Sequence, residues 1–156
     1  MKVGIVGPQE NKWLPFQSNR VKQAITTILW QYQFDKELTM VSGGCPLGGV
    51  DIWAEEVAKE RGIDTDIIKP DINEWEDRYA TEYENPYIPV PILKGFKSRN
   101  IAIAKDSDVV YCLVPKMTLS YFCKHCWEYG HPSNGGCWTM KFAKKIGKET
   151  HLVIIE

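Results

Sequence analysis

The segment SGGCPLGGVD, residues 42–51, decides the fold predicted for this chain. It follows the apolar residues 38–41, which predict a buried strand, and it precedes residues 52–61, which predict a helix closed by Gly62. Glycine doublets let the backbone come within hydrogen-bonding distance of a ligand, and the free N–H groups at a helix start favour an anion. The segment therefore predicts a phosphate-binding turn between a strand and a helix.

The glycine spacing narrows the kinds of phosphate ligand. It matches neither the G-x-G-x-x-G dinucleotide fingerprint nor the G-x-x-x-x-G-K-[ST] P-loop, so the sequence has no NAD fingerprint. No lysine follows the glycines to reach a β- or γ-phosphate, which argues against ATP or GTP hydrolysis. Because glycine doublets also form plain tight turns, the turn alone leaves a purely structural alternative open.

Strands and helices alternate along the rest of the chain. The predicted strands are residues 2–6, 38–41, 64–68, 108–114 and 151–155. The predicted helices are residues 17–32, 52–61, 93–105 and 135–146. This alternation predicts one α/β domain over residues 1–156, a Rossmann-like three-layer sandwich with a mostly parallel central sheet. Ligands of such sheets bind beyond the carboxyl ends of the strands, where Gly7 and residues 42–51 would lie.

The composition does not favour nucleic acid as a partner. The chain has 19 Lys and Arg against 20 Asp and Glu, a formal net charge of -1, so no overall basic field attracts a phosphate backbone. The N-terminus reaches Gly7 and Pro8 too soon for a signal peptide, and no apolar run approaches the length of a membrane span. We therefore expect a cytoplasmic protein without membrane contact.

The least regular stretch, residues 70–91, contains Trp75, Tyr79 and Tyr83 at helical spacing. This spacing predicts a short amphipathic helix. Its aromatic stripe is expected to pack on the sheet or on a neighbouring subunit of a homo-oligomer. Stacking on nucleic-acid bases is the weaker alternative, because the nearby carboxylates would repel a phosphate backbone.

A second glycine turn, residues 133–136, follows the strand at 108–114 and precedes a helix with Thr139 in its first turn. It again combines flexible backbone, free N–H donors and a helix dipole. Two such turns at one sheet edge would hold the two ends of a nucleotide, or a phosphate and its ribose. Arg99 offers a planar cation suited to phosphate, and Asn100 an amide that both donates and accepts, although such helix residues are usually solvated.

These features resemble the SLOG superfamily, the Rossmann-like group of the DNA-processing protein A fold, the LOG-type nucleotide phosphoribohydrolases and the lysine-decarboxylase-like proteins. The resemblance rests on residues 42–51, on Arg99 and Asn100, and on the turn at Gly135 with Thr139. It implies a domain that binds a nucleotide or nucleotide-derived molecule; some members read the ligand as a signal, others cleave its N-glycosidic bond, and others bind single-stranded DNA. The ligand-binding residues expected are Gly7, Ser42, Gly43, Gly44, Gly48, Gly49, Asp51, Arg99, Asn100, Gly135, Gly136 and Thr139.

The chain departs from the phosphoribohydrolase signature P-G-G-x-G-T-x-x-E. The position of the catalytic carboxylate in that signature is Phe142, which can neither stabilise an oxocarbenium-like centre nor activate water. The resemblance therefore leaves open whether the protein is an enzyme. An N-glycosidase or a deoxyribosyltransferase would need Asp51, Glu55 or Glu56 in that role.

A Cys/His-rich loop at residues 115–137 contains three of the five cysteines of the chain. Cys123, Cys126, His131 and Cys137 give the spacing C-x2-C-x4-H-x5-C, one residue longer than that of a zinc knuckle. Three thiolates and an imidazole suit tetrahedral Zn²⁺ in a closed, structural site. Such a metal would tie the loop to the second glycine turn as an ordered lid over the ligand.

Other interpretations of this loop remain open at the level of sequence. Cys123 and Cys126 would be free thiols or a redox pair if Cys137 were simply an apolar helix residue, and His125 would replace one ligand in a variant site. The loop would also serve a DNA- or protein-interaction module, with Trp127 stacking on bases. Catalysis by zinc is not expected, because a four-ligand site leaves no position for water.

Overall fold

A computed structural model describes residues 1–75, 77–91 and 94–156, without the side chains of Asp77 and Tyr79. Its five strands are β1 (Lys2–Val6), β2 (Thr39–Ser42), β3 (Asp64–Ile67), β4 (Val109–Pro115) and β5 (Glu149–Ile155). The helices are α1 (Gln17–Trp30), α2 (Val50–Glu60), α3 (Asp77–Tyr83), α4 (Phe96–Asp106) and α5 (Gly135–Lys145), with a 3-10 turn at Glu10–Lys12.

The five strands form one sheet in the order β3-β2-β1-β4-β5, and every neighbouring pair is parallel. Strand β4, VVYCLVP, is buried along its whole length, as expected for a central strand of a sheet covered on both faces. Edge strand β3, DTDI, is polar and largely exposed. The order reverses between β1 and β4, which creates the topological switch point of the sheet.

Helices cover both faces of the sheet, giving three layers. On one face, α1 and α2 pack against inward residues of alternate strand positions such as Val3, Ile5 and Met40. On the other face, α3, α4 and α5 pack against the intervening positions such as Val6 and Val110. The structure confirms the predicted Rossmann-like fold, and the sheet is all parallel among the described strands.

Residues 70–95 differ most from a regular helix-strand alternation. Trp75 precedes α3 and packs edge-on against Trp138, with ring centroids 5.6 Å apart, while Tyr83 is buried in α3. The side chain of Tyr79 and the predicted helix start at Leu93 lie outside the described residues. Within the described ranges, no helix is both long and apolar enough to cross a membrane.

Candidate functional site

A cavity of about 300 Å³ opens at the carboxyl edge of the sheet, beside the switch point between β1 and β4. Its walls come from the segment after β1, the start of α2, the α4 helix and the turn that begins α5. Seven of the predicted ligand-binding residues line it: Gly7, Asp51, Arg99, Asn100, Gly135, Gly136 and Thr139. The fold therefore brings segments that are distant in sequence to one concave surface.

The start of α5 presents unpaired backbone donors to this cavity. Asn134 caps the helix, because its Oδ1 accepts a hydrogen bond from the N–H of Cys137 at 3.0 Å. Within the described part of the chain, no acceptor bonds the N–H groups of Gly135 and Gly136. The hydroxyl of Thr139 donates a hydrogen bond to the Gly135 carbonyl of the same helix at 2.8 Å. The start of α5, with these two N–H groups and the positive end of the helix dipole, thus borders the cavity.

Close packing explains why one of these positions is glycine. A Cβ on Gly136 would lie 2.7 Å from the Cα of Gly7, so only a glycine lets α5 start directly against the end of β1. A Cβ on Gly135 would lie 3.3 Å from Nδ2 of Asn100, a milder contact. The two glycines therefore differ: Gly136 serves the packing of the fold, and Gly135 borders the open space.

Helix α4 contributes two buried polar side chains. Arg99 donates from Nε to Oδ1 of Asn100 at 2.8 Å and from a terminal nitrogen to the carbonyl of Gly43. Asn100 is only 5% exposed, lines the cavity, and its Nδ2 has no acceptor among the described residues. This nitrogen is therefore a donor without a protein acceptor on a residue that lines the cavity.

The first glycine turn satisfies four of its N–H donors within the protein. Its internal hydrogen bonds run from the N–H of Gly44 to Ser42 Oγ (3.2 Å), of Cys45 to Asp51 Oδ2 (3.2 Å), of Gly48 to the Cys45 carbonyl (3.1 Å) and of Val50 to the Pro8 carbonyl (3.3 Å). The turn consequently fixes the start of α2 and does not form an open ring of donors.

Five of the predicted ligand residues lie outside the cavity lining: Ser42, Gly43, Gly44, Gly48 and Gly49. Gly44 and Gly48 border a neighbouring depression. Gly49 has φ +90°, and a Cβ there would lie 2.6 Å from the Gln9 backbone, so this position demands glycine for packing. The first turn therefore contributes to the site chiefly through Asp51.

Asp51 is a buried carboxyl group whose surroundings have opposing effects on its pKa. Burial raises its pKa to about 6, against the opposing influence of Arg99 and of the Cys45 N–H, while Glu55 adds to the rise. Arg99 Nη1 lies 3.7 Å from Asp51 Oδ2, and burial lowers the pKa of this guanidinium while Asp51 supports its charge. The pair gives the cavity a fixed cation beside a carboxyl group that titrates near neutral pH.

The other carboxylates considered for catalysis lie elsewhere. Glu55 accepts a hydrogen bond from Ser42 Oγ at 2.8 Å and borders a separate surface depression between α2 and β3. Phe142, at the position of the phosphoribohydrolase carboxylate, stacks on Trp138 with a 3° angle between the rings and is buried in the core. Of these candidates, Asp51 alone lines the cavity, within the residues that the structure describes.

Several lining residues were not predicted from the sequence, among them Lys12, Trp75 and Phe96. Lys12 sits in the 3-10 turn that follows β1, so the rule that ligands bind beyond strand ends could have suggested it. Trp75 and Phe96 reach the cavity through tertiary contacts that no local pattern encodes. Together these residues add an exposed cation and an apolar wall.

The Cys/His-rich loop brings its four predicted metal ligands together. The ligand atoms of Cys123, Cys126, His131 and Cys137 all lie within 4.8 Å of one another. A tetrahedral zinc site with Zn–S bonds of about 2.3 Å separates its sulfur ligands by roughly 3.8 Å, so the spacing suits a single ion. Neither His125 nor Cys112 belongs to this group, although Cys112 Sγ lies 3.7 Å from Cys137 Sγ.

Hydrogen bonds orient these donors. His131 is buried, and its Nδ1 lies 3.0 Å from the Pro132 carbonyl, so Nδ1 carries the proton and Nε2 accepts a hydrogen bond from Cys126 Sγ at 3.3 Å. Burial works to raise the pKa of the Cys123 thiol, but backbone N–H groups of Cys126 and His125 and neighbouring thiols outweigh it, and its pKa is lowered. His131 thus has the tautomer, and Cys123 the N–H donors, that a metal-bound ligand requires. Burial raises the pKa of the Cys126 thiol to about 12, and the hydrogen bond with Cys112 raises that of Cys137, so these two thiols would lose their protons only on binding an ion.

The all-parallel sheet with a cavity at its switch point is a Rossmann-like architecture. The chain is similar in structure to the molybdenum cofactor carrier protein of Chlamydomonas reinhardtii, with TM-score 0.56 and 19% identity over 97% of this chain and 74% of that one. It is equally similar to DNA processing protein A from Streptococcus pneumoniae, with TM-score 0.56 and 18% identity over 97% of this chain. It spans about half of that second protein, 49%. Neither the protein-family models nor the curated protein sequences gave a match.

Proposed function

We propose that the protein binds a phosphate-bearing small molecule, a nucleotide or a nucleotide-derived compound, in the cavity between β1 and β4. The observation that carries this proposal is the unpaired N–H pair of Gly135 and Gly136 at the start of α5, which lines the cavity. Backbone donors at a helix start, reinforced by the helix dipole, bind phosphate without a dedicated lysine.

The rest of the cavity supports the same ligand class. Lys12 and Arg99 supply positive charge, and Asn100 directs a free amide donor at the ligand. Trp75 and Phe96 provide an apolar wall against which a flat heterocycle can pack. A phosphate would lie at α5 and its organic part along this wall.

The size of the cavity and the net charge favour a small molecule over a nucleic-acid strand. One structural neighbour is named as a carrier of a molybdenum cofactor, and the other as a DNA-processing protein. A cavity of about 300 Å³ is the size of a single small molecule, and the net charge of -1 gives no basic groove for DNA. A carrier or sensor of a nucleotide-like compound therefore fits better than a DNA-binding role.

A thermal-shift panel of nucleoside mono- and diphosphates tests the proposal, because a ligand that binds only the folded state raises Tm. Lys12→Gln should weaken binding of the best compound roughly three- to tenfold, since one partly exposed cation contributes about 1 kcal/mol. Lys36→Gln, an exposed lysine remote from the cavity, is the matched control and should bind normally. No Tm increase with any phosphate compound would contradict the proposal.

A nucleotide N-glycosidase or transferase is the second candidate, and Asp51 is the observation that favours it. Its pKa of about 6 and its place in the cavity suit an acid-base or nucleophilic carboxyl group. Release of free base from a bound nucleotide, abolished by Asp51→Asn, would select this function. Binding without any turnover in the wild-type protein would select the carrier or sensor.

We also propose that the cluster of Cys123, Cys126, His131 and Cys137 holds a structural Zn²⁺. Four converging donors support this proposal, and His131 has the tautomer that leaves Nε2 to bind the ion. The ion would cross-link the loop and would have no open coordination position for catalysis. Metal analysis of protein purified without added zinc should give about one zinc per chain, following from the single four-donor cluster.

A matched pair of cysteine variants makes this metal test specific. Cys123→Ala removes one proposed ligand and should lose most of the zinc. Cys112→Ala removes an equally buried thiol that contacts Cys137 but stands outside the cluster, and it should keep the zinc. A wild-type protein that is free of metal and fully folded would contradict the proposal.

A further inference from the structure

Residues 131–137 belong to both candidate sites. His131 and Cys137 at the two ends of this segment are donors of the proposed metal centre. Between them, Ser133, Asn134 and Gly135 line the ligand cavity. Since both ends converge on one cluster, the shape of the intervening loop depends on how that cluster is held.

Asn134 connects the two sites atom by atom. Its Oδ1 accepts from the Cys137 N–H and so caps the helix whose donors face the cavity. Its Nδ2 lies 3.2 Å from the Pro132 carbonyl and 3.5 Å from Cys137 Sγ. A metal-bound thiolate accepts such a hydrogen bond more strongly than a thiol does, so the ion would tighten the cap.

A second link joins the other half of the cluster to the cavity wall. Ser133 Oγ accepts a hydrogen bond at 3.0 Å from the N–H of Lys124, which lies between the cluster residues Cys123 and Cys126. The two cysteines at the tip of the loop are therefore tied to the same wall as the two donors nearer α5. Both halves of the cluster are thereby connected to residues 132–136.

We infer that metal occupancy at the Cys/His cluster controls the affinity of the cavity for its phosphate ligand. The inference rests on the phosphate site and the zinc site proposed above. With the ion bound, the cap and the Gly135 and Gly136 donors are held in place; without it, a ligand must order them on binding, which weakens affinity. Linkage then requires the ligand to strengthen metal binding by the same factor.

Calorimetric titration with AMP and with inorganic phosphate, on zinc-loaded and on chelator-stripped full-length protein, tests this inference. We expect the stripped protein to bind each probe at least tenfold more weakly. Saturating AMP should in turn slow the transfer of zinc to a chromogenic chelator. Equal affinities in the two forms overturn the coupling but leave the phosphate site intact, whereas no binding by the zinc-loaded protein overturns the proposed function itself.

Amide hydrogen exchange provides a readout that needs no ligand. Stripping zinc should speed exchange at the hydrogen-bonded amides of Cys137 and Trp138 by tenfold or more, while the central strand β4 keeps its protection. Unchanged exchange at Cys137 and Trp138 overturns the inference. Loss of protection throughout β4 also overturns it, because the metal would then support the whole fold instead of the cap.

Asn134→Ser tests the link between the two sites without changing a metal ligand. Serine can still cap α5 but cannot donate from Nδ2 to Pro132 and Cys137. The zinc-loaded variant should keep its metal, and the ratio of AMP affinities between its loaded and stripped forms should fall below about threefold. A ratio equal to that of the wild type contradicts the role given to Asn134.

Discussion

Asp51 and Arg99 set the electrostatics of the cavity because both are buried at its edge. Arg99 holds the carbonyl of Gly43 and the amide of Asn100, so its charge organises the wall as much as it attracts a ligand. Asp51 accepts a hydrogen bond from the N–H of Cys45 and thereby links the middle of the first glycine turn to the start of α2. Asp51 is therefore held in place by its neighbours, and its pKa is higher than that of an ordinary aspartate.

This burial predicts a specific dependence of stability on pH. The pKa of Asp51 is raised from 3.8 to about 6, so between these values the folded protein holds a proton that the unfolded chain has released. The free energy of unfolding contributed by Asp51 is therefore highest below pH 4 and falls as pH rises toward 6. The loss should total about 3 kcal/mol.

Denaturant unfolding of the wild type and of Asp51→Asn from pH 4 to pH 7 measures this contribution. The stability of the wild type relative to the variant should decrease with rising pH, since the asparagine does not titrate. A relative stability that is constant, or that rises with pH, would show that the carboxyl group is solvated or fully neutralised by Arg99.

Helix α5 is the element on which the proposed ligand binding depends. Its N-terminus combines a side-chain cap, two glycines and a position directly after the loop that follows β4. The pairing of Asn134 with two glycines is a local signal, so the start of this helix could be predicted from sequence. The closeness of Gly136 to Gly7 could not, because it depends on how α5 crosses the end of β1.

The two glycines at the start of α5 should respond differently to alanine. Gly136→Ala puts a Cβ 2.7 Å from a backbone atom of Gly7 that cannot move away, and should lower the free energy of unfolding by about 3 kcal/mol. Gly135→Ala meets only the amide of Asn100 at 3.3 Å and should change stability by less than about 1 kcal/mol.

The same two variants should also differ in AMP affinity, with the order of the effects reversed. Gly135→Ala stays folded but narrows the cavity beside the Asn100 donor, so AMP affinity should fall. Chemical denaturation and calorimetry on both variants check the two statements. Equal loss of stability in both variants would contradict the assignment of Gly136 to packing and Gly135 to the cavity.

The fold of the whole molecule follows from a pattern that can be recognised in the sequence. Alternating apolar strands and amphipathic helices predict a parallel sheet with two covered faces, and the buried run of β4 marks its centre. The spacing of the cysteines and His131 likewise predicts which four donors meet, because the ligands lie within one loop and the adjacent helix start.

The parts of the site that sequence does not reveal depend on contacts between distant segments. The donors of the first glycine turn are taken up by Asp51 and by the Pro8 carbonyl, partners that no local motif identifies. Arg99 and Asn100 turn inward and are buried, where composition alone favours a solvated helix face. Trp75 reaches the cavity from an irregular stretch whose path is set by tertiary packing.

The amide resonances of Gly135 and Gly136 test the central claim most directly. In a two-dimensional NMR titration of zinc-loaded, isotope-labelled protein with AMP, these two backbone signals should shift most, together with the side-chain amide of Asn100. The glycines of the first turn, Gly44 and Gly48, should move little. Saturable shifts confined to the first turn, or none at the start of α5, would contradict the claim that this helix binds the phosphate.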